Sequence, residues 1–165
     1  MKNIVVVYDS VFGNTEKVAL ALGSALKQVG SIEVLKVAAV NESHLRGLAL
    51  LIVGSPTRSF QPTPAVKEFL KKVAKDQLKD VLVAAFDTRI ALEDIQGKVF
   101  RLLVNTGGYA APAMLKELKK KGGTPAVAPQ GFYVTGEQGP LKENELERAA
   151  DWARQLYAMT GLRTE

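Results

Sequence analysis

The sequence predicts a three-layer α/β domain with helices on both faces of a doubly wound, five-stranded parallel sheet. Three observations carry that expectation. Apolar runs at residues 4–8, 48–53 and 81–86 have the length and β-branched content of strands buried on both faces. Stretches of helical periodicity lie between such runs, so strand and helix alternate, as parallel pairing requires. The 165 residues, 47% of them hydrophobic, suffice for one domain spanning 1–165, and no repeat, low-complexity tract or linker divides them.

The elements follow in order. Residues 4–8 form the first strand. In 15–29, Val18, Ala19, Leu22, Ala25, Leu26 and Val29 share one helical face, and Gly30 closes the helix. Residues 31–37 alternate around Glu33 and Lys36 like an edge strand. Residues 48–53 are a buried strand stopped by the Gly-Ser-Pro-Thr that follows. Residues 64–75 are helical, with Pro64 at a tolerated first position. Residues 81–86 are the third buried strand. Residues 90–106 read as a helix, with Leu92, Ile95, Val99, Leu102 and Leu103 on one face, although 99–104 alone also suits a strand. Residues 110–121 form a helix ending at Gly122-Gly123. Residues 126–128 and 131–134 offer a last, interrupted strand. Residues 143–160 close the chain, with Leu146, Ala149, Ala150, Ala153, Leu156 and Tyr157 on one side.

Composition narrows the chemistry. With no Cys, disulfides and thiolate metal sites are impossible, and His44 is the sole histidine, with nothing around it to build a triad or a metal cluster. No apolar run approaches a membrane span, and the first ten residues do not read as a signal peptide. A soluble, cytoplasmic protein that does not contact membranes is expected. The net charge of +5 comes largely from two amphipathic stretches, 67–79 and 115–123. Lysine on such stretches ordinarily means solvated helix faces; a neutral or acidic protein partner is the sharper reading. Nucleic acid is disfavoured, because no series of aromatics interleaves the basic residues.

The turn after the first strand, in YDSVFGNTEKVA (8–19), carries the first chemical signal. Ser10, Asn14 and Thr15 are short polar side chains, Gly13 permits a left-handed backbone, and a helix begins at once. Unpaired amides and the positive end of the helix dipole then face an anion. The same residues also suit plain helix caps. No Lys or Arg lies in the turn, which excludes a triphosphate loop, and the glycine spacing is not that of dinucleotide folds. A second turn, VGSPTRSFQPTP (53–64), should emerge at the same sheet edge.

Together, YDSVFGNTEKVA and IVGSPTRSF resemble the flavodoxin family, and the resemblance in element order spans nearly the whole chain. With no long insertion in its last strand, the chain resembles the short-chain type. The resemblance implies a flavodoxin-like strand order of 2-1-3-4-5, FMN as cofactor and electron transfer as function. It implies that Ser10, Val11, Phe12, Gly13, Asn14 and Thr15 surround the FMN phosphate. Ser55, Pro56, Thr57 and Arg58 would line one side of the flavin ring, with Ser59 and Phe60 behind them. Phe86, Asp87, Thr88 and Arg89 would form the loop on the other side. Phe60 and Phe86 equally suit simple core packing. No catalytic acid or base and no metal is implied.

Two departures from the family matter. Arg58 stands where a stacking aromatic is usual, leaving a guanidinium, or Tyr109 in the TGGYAAPAM stretch, to cover the ring. The chain is also basic where the family is acidic, so a neutral or acidic redox partner is expected, and Arg58 and Arg89 are expected to favour the reduced flavin. An NAD(P)H-dependent quinone or flavin reductase, and a binding module without FMN, are the rival functions. The apolar face of 90–106 should be buried, over the ring edge or in a symmetric homodimer.

Overall fold

Strand β1 (Asn3–Tyr8) runs parallel between β2 (Ser31–Lys36) and β3 (Leu48–Pro56), and β3 pairs in parallel with β4 (Leu82–Ile90). The structure, a computed structural model, describes residues 3–161, without the side chains of 104, 106 and 107. Two short strands share the far side of β4. β5 (Thr124–Pro125) pairs with its start and β6 (Gln130–Val134) with its end. The order β2-β1-β3-β4-β5 is the expected one, with the interruption in the fifth position. The first piece lies two residues before its expected place.

Each face of the sheet buries its own core. The even-numbered side chains of β1 (Ile4, Val6, Tyr8) pack with α1 (Asn14–Leu26) and α5 (Glu145–Met159). Val5 and Val7 face the other way, toward α2 (Pro64–Lys72) and α4 (Ala110–Lys120). That two-sided burial explains the uninterrupted apolar runs. Phe86, Phe132 and Trp152 meet edge to face in the first core, with ring centroids 6.0–6.1 Å apart. Gly54 lets the Phe86 ring cross its own strand, since a Cβ there would come within 2.1 Å of Phe86 Cζ.

Strands β3 and β4 outrun their apolar stretches. Ser55 pairs with Asp87 and Pro56 with Thr88, so Gly-Ser-Pro and Asp-Thr-Arg are strand ends rather than loops. Hydrophobicity stops at the last core contact, whereas backbone pairing continues wherever polar side chains find partners.

The region 90–106 is also not one helix. β4 ends at Ile90, a single 3₁₀ turn covers Leu92–Asp94, and α3 (Lys98–Gly107) follows Gly97, whose φ of 87° interrupts any helix. The expected apolar face is split as a result. Ile95 is buried, whereas Val99, Leu102 and Leu103 are exposed. No helix among the described residues is long and apolar enough to cross a membrane.

Candidate functional site

A cleft of about 430 Å³ opens at the carboxyl ends of β1, β3 and β4. It lies where the connections from β1 and β3 leave in opposite directions, the position at which doubly wound sheets bind ligands. Two turns, at residues 10–15 and 56–59, and the end of β4 at 88–90 line it, and Phe100, Val134 and Glu137 complete the wall.

The first turn is held open by Ser10. Its Oγ accepts hydrogen bonds from the amides of Gly13 (3.1 Å) and Glu16 (3.3 Å). Its own proton remains available to an acceptor in the cleft. Gly13 takes φ 92°, and α1 starts without a side-chain cap. The amides of Val11, Phe12, Asn14 and Thr15 find no acceptor among the described residues. Four free donors and the positive end of a helix dipole therefore meet in one turn. Thr15 and Thr88, both buried, share one hydrogen bond between their hydroxyls at 2.8 Å, which leaves one proton of the two free. Asn14 spends its side chain elsewhere, donating from Nδ2 to the Gln138 carbonyl at 3.1 Å and tying the turn to the loop after β6. Beneath the turn, burial first and then the Glu16 carboxylate push the Tyr8 phenol up to about 12.

The second turn is a two-residue hairpin. The Arg58 and Gln61 backbones exchange hydrogen bonds of 2.9 and 3.0 Å, and Ser59 and Phe60 between them take φ of 48° and 69°. Two successive left-handed residues without glycine store backbone strain. They bring Arg58 over the cleft, 5.6 Å from the Phe12 ring centroid and 3.9 Å from the Glu137 carboxylate. Ser55 is fully buried and serves this turn from inside, donating to the Pro56 carbonyl and accepting from the Thr63 amide.

The end of β4 departs most from expectation. Arg89 does not reach for a ligand; it folds back on Asp87 through two hydrogen bonds of 2.6 and 2.7 Å. Its guanidinium lies 3.8 Å from the Tyr109 ring centroid, covering that ring. On its other side it lies flat on Gly131, where a Cβ would fall 2.3 Å from Nε. Asp87, fully buried, also accepts from the Ala111 amide at 2.8 Å and hydrogen-bonds with Thr57, whose Oγ1 accepts from the Ala110 amide. Burial pushes the Asp87 carboxyl up, and Arg89, the Ala111 amide and Thr57 pull against it. This buried knot anchors the start of α4 to the ends of β3 and β4.

Of the residues expected at the site, those in 10–15, 56–59 and 88–89 come together, with Gly13 shaping its turn and Asn14 bound mainly to the neighbouring loop. Phe86 is corrected to core, on the α1 and α5 side of the sheet. Ser55 and Asp87 are corrected to buried supports. Tyr109 is corrected from an open stacking surface to the bed of Arg89. Phe60 turns toward a smaller apolar recess of about 250 Å³ beside the cleft, with Ile95, Phe100 and Tyr109. Glu137 and Phe100 went unforeseen. A lone acid in a turn carries no signal, whereas an aromatic on the amphipathic stretch ahead of Tyr109 was a usable one.

The family model described as "Flavodoxin domain" matches residues 5–147. No curated protein matches the chain. Among solved structures, a flavodoxin from the domain Archaea is similar with a TM-score of 0.75 at 18% identity, covering 96% of this chain and 98% of that one. A short-chain flavodoxin associated with a non-canonical PDU bacterial microcompartment gives 0.74 at 16%, covering 98% and 100%. A WrbA-like flavodoxin from Agrobacterium tumefaciens gives 0.71 at 20%, covering 99% and 100%. At these identities the likeness is one of fold.

Proposed function

The chain belongs to the flavodoxin domain family, and on that premise we propose that its cleft binds FMN and that the protein carries electrons between partners. The carrying observation is the set of four amides without acceptors at the start of α1, beside the hydroxyls of Ser10, Thr15 and Thr88. They suit a phosphate group without any Lys or Arg in the turn. Arg58 offers a planar cation for one face of an aromatic ring system, and Pro56, Thr57 and Thr88 wall the space beneath it. Bound FMN would supply reversible one- and two-electron transfer, while the protein supplies binding, electrostatics and exclusion of water. No side chain need act as an acid or base on this reading.

Ser10→Ala and Thr15→Val are each expected to weaken FMN binding by about 1–3 kcal/mol, the cost of leaving a buried acceptor unpaired. Riboflavin, which lacks the phosphate, should be indifferent to both changes. Calorimetric titration with each ligand decides it, and equal losses for FMN and riboflavin would remove phosphate from the turn.

A second reading, an NAD(P)H-dependent quinone or flavin reductase, draws on the apolar recess lined by Phe60, Ile95, Phe100 and Tyr109. A second planar molecule has room to enter there. Steady-state NADPH oxidation driven by a quinone would favour this reading over the carrier.

A further inference from the structure

The charge of this chain is unevenly placed. Residues 64–80 and 110–121, which comprise α2, α4 and the turns after them, hold nine lysines and four acids. Their excess equals the +5 of the whole chain, so the remaining residues hold thirteen charges of each sign. Pairing differs as well. Arg46, Arg58, Arg89, Arg148 and Arg154 each have a carboxylate partner, as do Lys36 and Lys142. Of the nine lysines, only Lys120 has one among the described residues, Glu117 at 3.0 Å.

Between α2 and α4 runs a groove of about 500 Å³. Phe60, Leu70 and Ala113 lie along it, and Lys67, Lys71 and Lys116 stand beside them. Glu117, already paired with Lys120, is its one carboxylate among the described residues. At the hairpin end, Phe60 separates the groove from the recess beside the cleft, its ring centroid 6.4 Å from that of Phe100.

We propose that this face docks an acidic protein partner, which seats an apolar side chain in the groove and sets carboxylates on Lys67, Lys71 and Lys116. Charge complementarity selects the partner: unpaired like charges on one face repel one another until an acidic surface covers them. The apolar surface is recessed between helices and suits an inserted side chain, whereas a membrane-binding face would project it outward. The cations are lysines throughout, without the arginine forks that favour nucleic acid. The proposal rests on the electron-carrier reading for the partner's role, though not for its binding, and Phe60 puts that partner one aromatic ring from the recess beside the cleft.

The test is fluorescence anisotropy with a labelled peptide of aspartates and glutamates around a single tryptophan. Binding should weaken with salt. The double substitution Lys71→Glu with Lys116→Glu should cost about tenfold or more in affinity. Exchanging the peptide's tryptophan for alanine should also weaken it. Lys27→Glu, at the end of α1, should change affinity by about twofold or less. FMN affinity in the same variants should stay at the wild-type value, so failure of the docking site and failure of the FMN reading are separable. No binding, binding indifferent to the double substitution or to the tryptophan, or tighter binding to phosphatidylserine vesicles or duplex DNA than to the peptide would overturn the proposal.

Discussion

Arg89→Gln is expected to destabilise the protein by about 3–5 kcal/mol, because it strands the Asp87 carboxylate in the core. Asp87 is fully buried and has Arg89 as its only ionic partner among the described residues, with the guanidinium itself enclosed between Tyr109 and Gly131. The Ala111 amide and Thr57 remain in the variant, but neither neutralises the charge. The carboxyl, already pushed up by burial, should then rise further. A raised folded value means that the native variant binds a proton the unfolded chain has released. The deficit should therefore grow as pH rises from the unfolded value near 4 and level off above the folded one. Adding Asp87→Asn should recover part of the loss. Urea unfolding of the single and double variants checks this, and a single variant with the wild-type midpoint would contradict the knot. The same geometry ranks the arginines. Arg58, over the cleft, should alter the midpoint potential of bound FMN more than Arg89, whose charge Asp87 already balances.

Phe86→Ala should cost about 3–5 kcal/mol, the usual range for emptying an aromatic site in a packed core. Phe86 touches Phe132 and Trp152 and fills the face of Gly54, so its removal leaves a cavity that neighbours on three elements cannot close together. The edge-to-face pairs add about 0.5–1.5 kcal/mol each beyond burial. Because the ring points toward α1 and α5, FMN affinity per folded molecule should stay within about twofold, far less than loss of a direct contact would give. Denaturant unfolding and FMN titration on the same sample separate the two. Lost affinity with intact stability would return Phe86 to the site.

What the sequence made legible was whatever depends on neighbours along the chain. The runs at 4–8, 48–53 and 81–86 became β1, β3 and β4, and the turn at 10–15 became the donor-rich end of the cleft because short hydroxyls, a glycine and a helix start act locally. What stayed hidden depends on partners distant in sequence. Asp87-Thr88-Arg89 reads as a polar loop, yet it is the end of β4, since its carboxylate finds the Ala111 amide and its guanidinium finds Tyr109 and Gly131. Phe86 at a strand end reads equally as core or ring contact, and only the side of the sheet it faces decides. Gly97 was visible in the sequence, but five apolar residues at helical spacing outweighed it, and the break it makes separates the buried Ile95 from Val99, Leu102 and Leu103.

The central claim is that the cleft holds FMN by its phosphate, and fluorescence titration tests it most directly. Adding the purified chain, stripped of any flavin, to FMN should quench the flavin emission to saturation at one FMN per chain. Riboflavin should bind about tenfold or more weakly, for want of the group that the amides of Val11, Phe12, Asn14 and Thr15 receive. Unchanged FMN emission at any protein concentration, or riboflavin binding as tightly as FMN, would contradict the account.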